Sequence, residues 1–444
     1  MKTSDPFESA GNPAYRVGLF AVALGFFGSL YALWLAGQRD AYFGVTSFIG
    51  IDAWIRPFLD LEGVLSWGEC HRLSFDVLKS NPCDPLHRLL NYGPPLIHLP
   101  LRARDAAVLG VAQALLFLGA VPLAIRPRSP GELAVAVAAI LSTATLYAME
   151  RGNLDLFEFA LIALTGPLFA RGGAGPFCSY AVYYAAGAMK FYPFALLLMV
   201  LRERRRAALI AAALSALAIG AYAALYWPQL AAIASLLPQF EYDSDSFGAA
   251  ALPFGLADLL GLPRFFGIGG MVLLLAGFGT LAIRLALRLS SAMTATDWDR
   301  AEFHYLLAGS IVMSGCFLLQ TNIDYRAIFL LLMPGGLFVL RNRASAKPLR
   351  GTFSAAIAVL VFCLWSDFFR RGIDHALDRL APDRSDNSLW DQLANAFFVG
   401  RELAWWWLMS VAVSIVLLFV LTSPLGAAAT AWLARLRQAE VRGT

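Results

Sequence analysis

Apolar runs about as long as a lipid bilayer is thick recur along this chain, and no other feature constrains its fold as strongly. A helix needs about 20 apolar residues to cross the hydrocarbon core. Candidate crossings are residues 17–36, 106–125, 133–147, 154–170, 207–227, 265–287, 303–319, 327–340, 353–369 and 403–421. Only 15% of the 444 residues are charged and 59% are hydrophobic, with a mean hydropathy of +0.62. A soluble domain carries roughly 25% charged residues. The expectation is an all-α, polytopic membrane protein, one transmembrane domain over residues 1–444. The net charge of +4 is mild and gives no sign of a nucleic-acid partner. Residues 1–15 are polar, and no small-residue cleavage site follows the first run. That reads as an uncleaved first span rather than a signal peptide.

Basic residues orient the spans, because Lys and Arg in short loops stay cytoplasmic. The clusters are Arg126/Arg128, Arg171, Arg202 with Arg204–Arg206, Arg284/Arg288, Arg341/Arg343/Lys347/Arg350 and Arg435/Arg437. All fall on one side only if residues 175–201 do not cross once. This apolar stretch carries Lys190 and Pro193 near its middle. Proline removes a helix donor and biases its predecessor away from helix. Irregular backbone at membrane depth survives only where protein or a wet cavity covers it. The expectation is therefore a re-entrant pair of short helices with its bend at Lys190–Pro193, for about 11–12 membrane helices in all. A cavity should reach Lys190 from outside, and the N-terminus should be cytoplasmic.

This topology puts several polar segments on the outer side. The first loop, residues 37–104, spaces Trp54, Phe58, Trp67 and Phe75 among polar residues, as amphipathic helices lying on the membrane would. Residues 150–155 and 320–326 are short and charged. Residues 228–262 carry Glu241, Asp243 and Asp245. Residues 370–401 are charged without a legible pattern.

No phosphate-binding glycine loop, dinucleotide fingerprint or His-Glu-x-x-His pattern occurs. His71, His87 and His98 share the first loop with Cys70 and Cys83, but their spacing matches no common zinc pattern, and no metal or cofactor is expected. Cys70 and Cys83 can pair if that loop faces an oxidising compartment. Cys178, Cys316 and Cys363 lie in apolar segments and read as inert filler.

Lys190, in Ala-Met-Lys-Phe-Tyr-Pro, is the sharpest single residue. A lysine at the centre of a span costs about 2.5–3.5 kcal/mol on insertion scales and usually faces a cavity or a partner. It suits an anionic headgroup such as a phosphate, or else a structural pair with a carboxylate. Glu150-Arg151-Gly152-Asn153 reads as a charged turn or as a site, with Asn153 capping the following helix and Asp155 in its first turn. In Asn322-Ile323-Asp324-Tyr325-Arg326, Asp and Arg are either a cap and a membrane-edge anchor, or a phosphate-binding Arg326 oriented by Asp324. Among first-loop carboxylates (Asp52, Asp60, Glu62, Glu69, Asp76, Asp84), two are better placed for acid/base work. Asp60 follows Arg-Pro-Phe-Leu on a helix expected to face the membrane surface. Asp84 lies between Pro82 and Pro85 in a rigid turn, followed by Arg88, Asn91 and Tyr92-Gly93-Pro94-Pro95.

Taken together, residues 81–95, 150–155, 190–193 and 322–326, in this order after a long first loop, resemble the short motifs of the GT-C glycosyltransferases. The closest group is the bacterial polyprenyl-phosphate-sugar-dependent mannosyltransferases, glycosyltransferase family 87. The resemblance spans residues 17–340. It implies a GT-C fold in a bacterial inner membrane and a polyprenyl-phosphate-hexose donor. It also implies an inverting transfer to a lipid or glycan acceptor at the periplasmic face, with no cofactor. A first-loop aspartate serves as base, carried over to Asp60 and next to Asp84. The phosphate-binding lysine maps onto Lys190, with Arg326, Arg151 and Tyr192 around the phosphate. Arg88, Asn91, Tyr92, Glu150, Asn153, Asn322, Asp324 and Tyr325 are then the expected substrate contacts. Two other readings stay open. A transporter or lipid flippase also shows polar residues in broken helices, although no internal repeat is evident. A surface-glycan polymerase or ligase shares the lipid-phosphate chemistry.

Overall fold

A computed structural model describes residues 11–51, 53–236, 246–290, 293, 295–319, 321–380 and 389–428. Asp52, Glu241, Asp243, Asp245, Gln320, Arg435 and Arg437 lie outside the described residues. The described chain is almost wholly helical. Its first helices are α1 Pro13–Leu35, α2 Arg39–Phe48, α3 Leu59–Arg72, α4 Ala106–Ala124, α5 Pro130–Ile140 and α6 Thr143–Arg151. Next come α7 Asp155–Ala170, α8 Gly175–Lys190, α9 Arg205–Leu225, α10 Trp227–Leu236, α11 Ala251–Leu259 and α12 Arg264–Leu289. The last are α13 Ala301–Leu319, α14 Pro334–Arg343, α15 Lys347–Leu364, α16 Ser366–Leu380 and α17 Leu389–Thr422. Two longer 3-10 segments run over Tyr192–Arg202 and Asp324–Leu332. Strands β1 (Ser246–Phe247) and β2 (Asn322–Ile323) pair antiparallel, Ser246 opposite Ile323.

Helices dominate because a bilayer offers the backbone no hydrogen-bond partners. Their ends are written in the sequence. The Asn12 side chain accepts from the Ala14 N–H at 3.0 Å, with Pro13 opening α1. Ser129 accepts from the Glu132 N–H at 3.2 Å to start α5. Gly152, at φ +59°, closes α6 in the left-handed conformation that glycine takes freely.

Seven described helices are long and apolar enough to cross a membrane, and an eighth crossing results if α5 and α6, bent by 44°, count as one. The chain is thus an all-α, multi-pass membrane protein in architecture. The larger expected number included runs that fold as shorter pieces. Residues 154–170 give the 16-residue α7, and residues 327–340 divide between a 3-10 segment and α14. α13 is the central helix, with 83% of its apolar window buried, against 17% for α9 and 11% for α12. The last two therefore present their sides to lipid.

Residues 175–201 break where the sequence reading puts the break. α8 ends at Lys190, Phe191 has φ +60°, and the 3-10 segment from Tyr192 packs back on α8 and against α9 and α13.

The first loop corrects one expectation. α3 does not lie on a membrane surface: Leu59, Leu61, Val64, Leu65 and Trp67 are all buried in protein. Phe58 is 1% exposed, and of the four spaced aromatics Trp54 and Phe75 keep substantial exposure. Apolar residues on both sides of α3, instead of one stripe, explain the difference. Cys70 and Cys83 form a disulfide that ties the end of α3 to the loop bearing Asp84.

Candidate functional site

The candidate site forms where four chain reversals meet: the start of α3, the α6–α7 turn, the α8 break and the segment following β2. Each reversal brings charged side chains to the end of an apolar element, where burial forces them to pair.

Asp60 sits in the first turn of α3 and is enclosed by cations. Arg151 Nη2 and Nε donate to its Oδ1 at 2.7 and 3.0 Å, Arg88 Nη1 at 3.0 Å, and Asn153 Nδ2 donates to Oδ2 at 2.8 Å. Burial alone would raise this carboxyl, but Arg151, Arg88 and the Asn153 bond together hold it below the usual carboxylate value. Arg88 is itself fixed by Asp84, through Nε and Nη2 at 2.8 Å each. The Asp84 loop is anchored by Asn81, whose amide donates to Ser66 Oγ at 2.9 Å and to the Arg88 carbonyl at 2.8 Å.

Asn153 joins this group to Lys190. Lys190 Nζ donates to Asn153 Oδ1 at 2.7 Å and to Asp155 Oδ1. Asn153 Oδ1 also accepts the Asp155 backbone N–H at 3.1 Å, the expected capping role. Asp155 is the shared counter-ion of the site. Tyr192 Oη donates to it at 2.5 Å and also reaches Glu158, while Arg326 Nε faces Asp155 Oδ2 at 3.6 Å. Arg326 Nη1 donates to Asn322 Oδ1. Aromatic faces complete the cradle: Lys190 Nζ lies 4.5 Å from the Tyr92 ring centre and 6.0 Å from that of Tyr325, and Arg326 lies 5.2 Å from that of Tyr192.

A cavity of about 320 Å³ opens beside these cations. One part of its wall is polar, with Asn91, Tyr92, Lys190, Tyr192, Asn322 and Arg326. The other is apolar, with Phe191, Phe194, Ala195, Gly315, Cys316 and Leu319. Asp155, Glu158, Asp60 and Arg151 stand behind this wall rather than on it. The arrangement can hold an anionic group against Lys190 and Arg326 while an apolar body occupies the rest.

Twelve of the fourteen residues singled out from sequence converge here. The other two do not. Glu150 accepts from Tyr42 Oη at 2.8 Å on the far side of α6. Asp324 does not orient Arg326; its Oδ2 lies 3.9 Å from Arg401 Nη1. Residues two apart in a 3-10 helix point about 120° apart, so they cannot share a partner on one face. Sequence reading undervalued Asp155 and missed Glu158. Two carboxylates three residues apart at the head of an apolar helix share one face and demand cations there, which is the signal that identifies them. Among the described residues, no group of three or more His, Cys, Asp and Glu side chains is arranged to hold a metal ion. Comparison of the chain with protein-family models, curated proteins and solved structures finds no match.

Proposed function

We propose that this chain is an integral-membrane glycosyltransferase that moves a mannose-like hexose from a polyprenyl-phosphate donor to a lipid or glycan acceptor. The observation that carries this reading is the two-natured cavity, cationic at Lys190 and Arg326 and apolar along Phe194, Ala195 and Leu319. A phosphate joined to a hydrocarbon chain has the same division. The fold is read as GT-C-like, with α8 and the Tyr192–Arg202 segment as a re-entrant pair. The cavity then faces the periplasm of a bacterial inner membrane.

In this reaction the acceptor hydroxyl attacks the anomeric carbon. The new C–O bond forms as the bond to the phosphate oxygen breaks, with inversion. The phosphate leaves with the bonding electron pair, and the hydroxyl proton passes to a carboxylate. Lys190 and Arg326 would meet the charge growing on the phosphate in a site shielded from water. Asp60 is the proposed base, although it does not line the cavity and must be uncovered for the acceptor to reach it. Its pairing with Arg88 and Arg151 keeps it ionised but weakens it as a base, and a shift of Arg151 toward the phosphate would restore its basicity. Arg151 Nη1 is buried without a hydrogen-bond partner among the described residues, so one donor is spare for that purpose.

The same ion pairing gives a second reading its footing. A carrier of anionic lipid needs the cationic cavity but no free base, and an Asp60 engaged on both oxygens fits that role without rearrangement. Binding of a short polyprenyl phosphate to the purified protein tests the shared part: affinity should fall at least tenfold in Lys190→Ala. Undiminished binding would refute the donor site. Turnover separates the two readings, because Asp60→Asn should abolish hexose transfer while leaving lipid-phosphate binding intact. A carrier would still move lipid in that variant.

A further inference from the structure

On the side of the Asp324–Leu332 segment away from Lys190 lies a second buried polar cluster that the proposed reaction does not use. Asp324, at its first residue, is 1% exposed, and Asp367, in the first turn of α16, is 2% exposed. The two carboxyls are close enough for their charges to repel. None of their four oxygens has a hydrogen-bond partner under ordinary N–H or O–H geometry among the described residues. The Ser366 hydroxyl, which donates to the Cys363 carbonyl at 3.0 Å, lies beside Asp324.

The groups facing this pair come from three elements. α17 supplies Arg401 and Glu402, which bond to each other at 2.8 Å, and Arg401 also donates to the Ser246 carbonyl of β1 at 3.0 Å. α16 supplies Arg370, whose Nε is 3.5 Å from Asp367 Oδ1 and whose Nη1 reaches Asp374 at 3.3 Å. Arg371 of α16 acts on Asp367 at longer range, and Cys363 of α15 also faces the pair. Arg326, on the same 3-10 segment, is turned away toward Asn322 and Asp155.

Two neighbouring carboxyls out of water resist being ionised together. Arg401 is buried and stands between Asp324 and Glu402, and its charge opposes a metal cation in the same space. One proton meets every requirement: it converts two repelling acceptors into an O–H···O⁻ bond and satisfies one oxygen on each side. We propose that Asp324 and Asp367 form a proton-binding site, holding one shared proton that ties α16 to the segment bearing Tyr325 and Arg326. The site joins the helices α15–α17 to the cavity wall, because Asp324 immediately precedes two cavity residues. Burial, and then the nearby Asp324, hold the Asp367 carboxyl well above the usual carboxylate range.

This inference does not depend on the transferase reading, and infrared spectroscopy of the purified full chain tests it directly. At neutral pH the wild type should show a protonated-carboxyl stretch that shifts in deuterium oxide. The wild-type minus Asp367→Asn difference spectrum should show the loss of one carboxyl, which separates it from any contribution of Glu158 or Glu402. Asp374→Asn, at a half-exposed carboxylate, should leave the band intact. A band unchanged in Asp367→Asn overturns the proposal. Should that variant not fold, Asp324→Asn reads the same pair: its band must shift or vanish, and an unaltered one also overturns the proposal.

Discussion

Cutting the two ends of the Lys190–Asp155 pair should cost unequal amounts. Both side chains are sealed from solvent, at 2% and 0% exposure, so water rescues neither charge. Taking one partner from a buried ion pair costs about 3–5 kcal/mol, because the other stays buried without compensation. Asp155→Ala strands two cations, since Arg326 also faces Asp155 at 3.6 Å, and it strips Tyr192 of an acceptor. Lys190→Ala leaves Asp155 with Arg326 and Tyr192. Asp155→Ala should therefore fall near 5 kcal/mol (about the upper bound) and Lys190→Ala near 3 (about the lower). The double variant removes one charge of each sign. It should cost less than the sum of the single changes by about 2–3 kcal/mol, the upper range for residues in one network. Unfolding of the four proteins in one detergent, followed by helical circular dichroism against added denaturing detergent, supplies the cycle. Equal single costs, or additivity within about 0.5 kcal/mol, would refute the reasoning and leave the pair as neighbours without energetic coupling.

Three further outcomes follow from the geometry around that pair. Asp60 is held below its ordinary value of 3.8, so its ion pairs stabilise the fold fully above that value and are lost as pH falls through the lowered one. The stability gap between wild type and Asp60→Asn should thus be widest at neutral pH and close in acid; a gap independent of pH contradicts the pairing. Reducing the Cys70–Cys83 bond, which closes a short loop with a separation of 13 residues, should remove up to about 3 kcal/mol. The matching readout is a lowered unfolding midpoint in the presence of dithiothreitol that Cys70→Ser/Cys83→Ser reproduces without it. Gly93→Ala should both destabilise the protein and weaken polyprenyl-phosphate binding. A Cβ there would meet the Ala188 carbonyl oxygen at 1.8 Å, and the backbone contact it disrupts, Gly93 N–H to the Met189 carbonyl at 2.7 Å, sets the end of α8 beside Lys190.

What was legible in the sequence is what burial makes expensive. The apolar runs announced themselves by length, and Lys190 by its cost within one of them. The break at Lys190–Pro193 followed from proline chemistry joined to the distribution of arginines. The local cap at Asn153 was readable for the same reason, since it satisfies a donor that a helix start leaves open. Contacts between distant segments were not readable. In residues 59–72 the only signal separating a helix resting on a membrane from one sealed by protein is the spread of apolar residues to both sides, since Trp67 and Leu61 suit either apolar surroundings. Asp324 and Arg326 looked like one functional pair because they are close in sequence. The 3-10 geometry sends them to different faces, one to Arg401 and one to Asp155. Residues 370–401 showed no pattern because their key residue, Arg401, besides its neighbour Glu402, finds its partners in β1 and at Asp324.

The order in which charges are layered argues for what the cavity can accept. Lys190, Arg326 and Tyr192 lie on its wall, whereas Asp155 and Glu158 lie behind them. A carboxylate lying between a lysine and the cavity blocks the ammonium; one lying behind it fixes its position and leaves its open side toward the cavity. Such cations need little rearrangement when an anion arrives, which is the condition for electrostatic preorganisation. The same layering makes Asp155 a determinant of binding without contact to the ligand. Asp155→Asn keeps the shape of the side chain but releases both cations, so anion binding should weaken through misplacement even though the net positive charge has increased. A simple attraction between phosphate and total charge would give the opposite sign. Measuring polyprenyl-phosphate affinity in Asp155→Asn therefore decides between a cavity that works by charge alone and one that works by charges held in place.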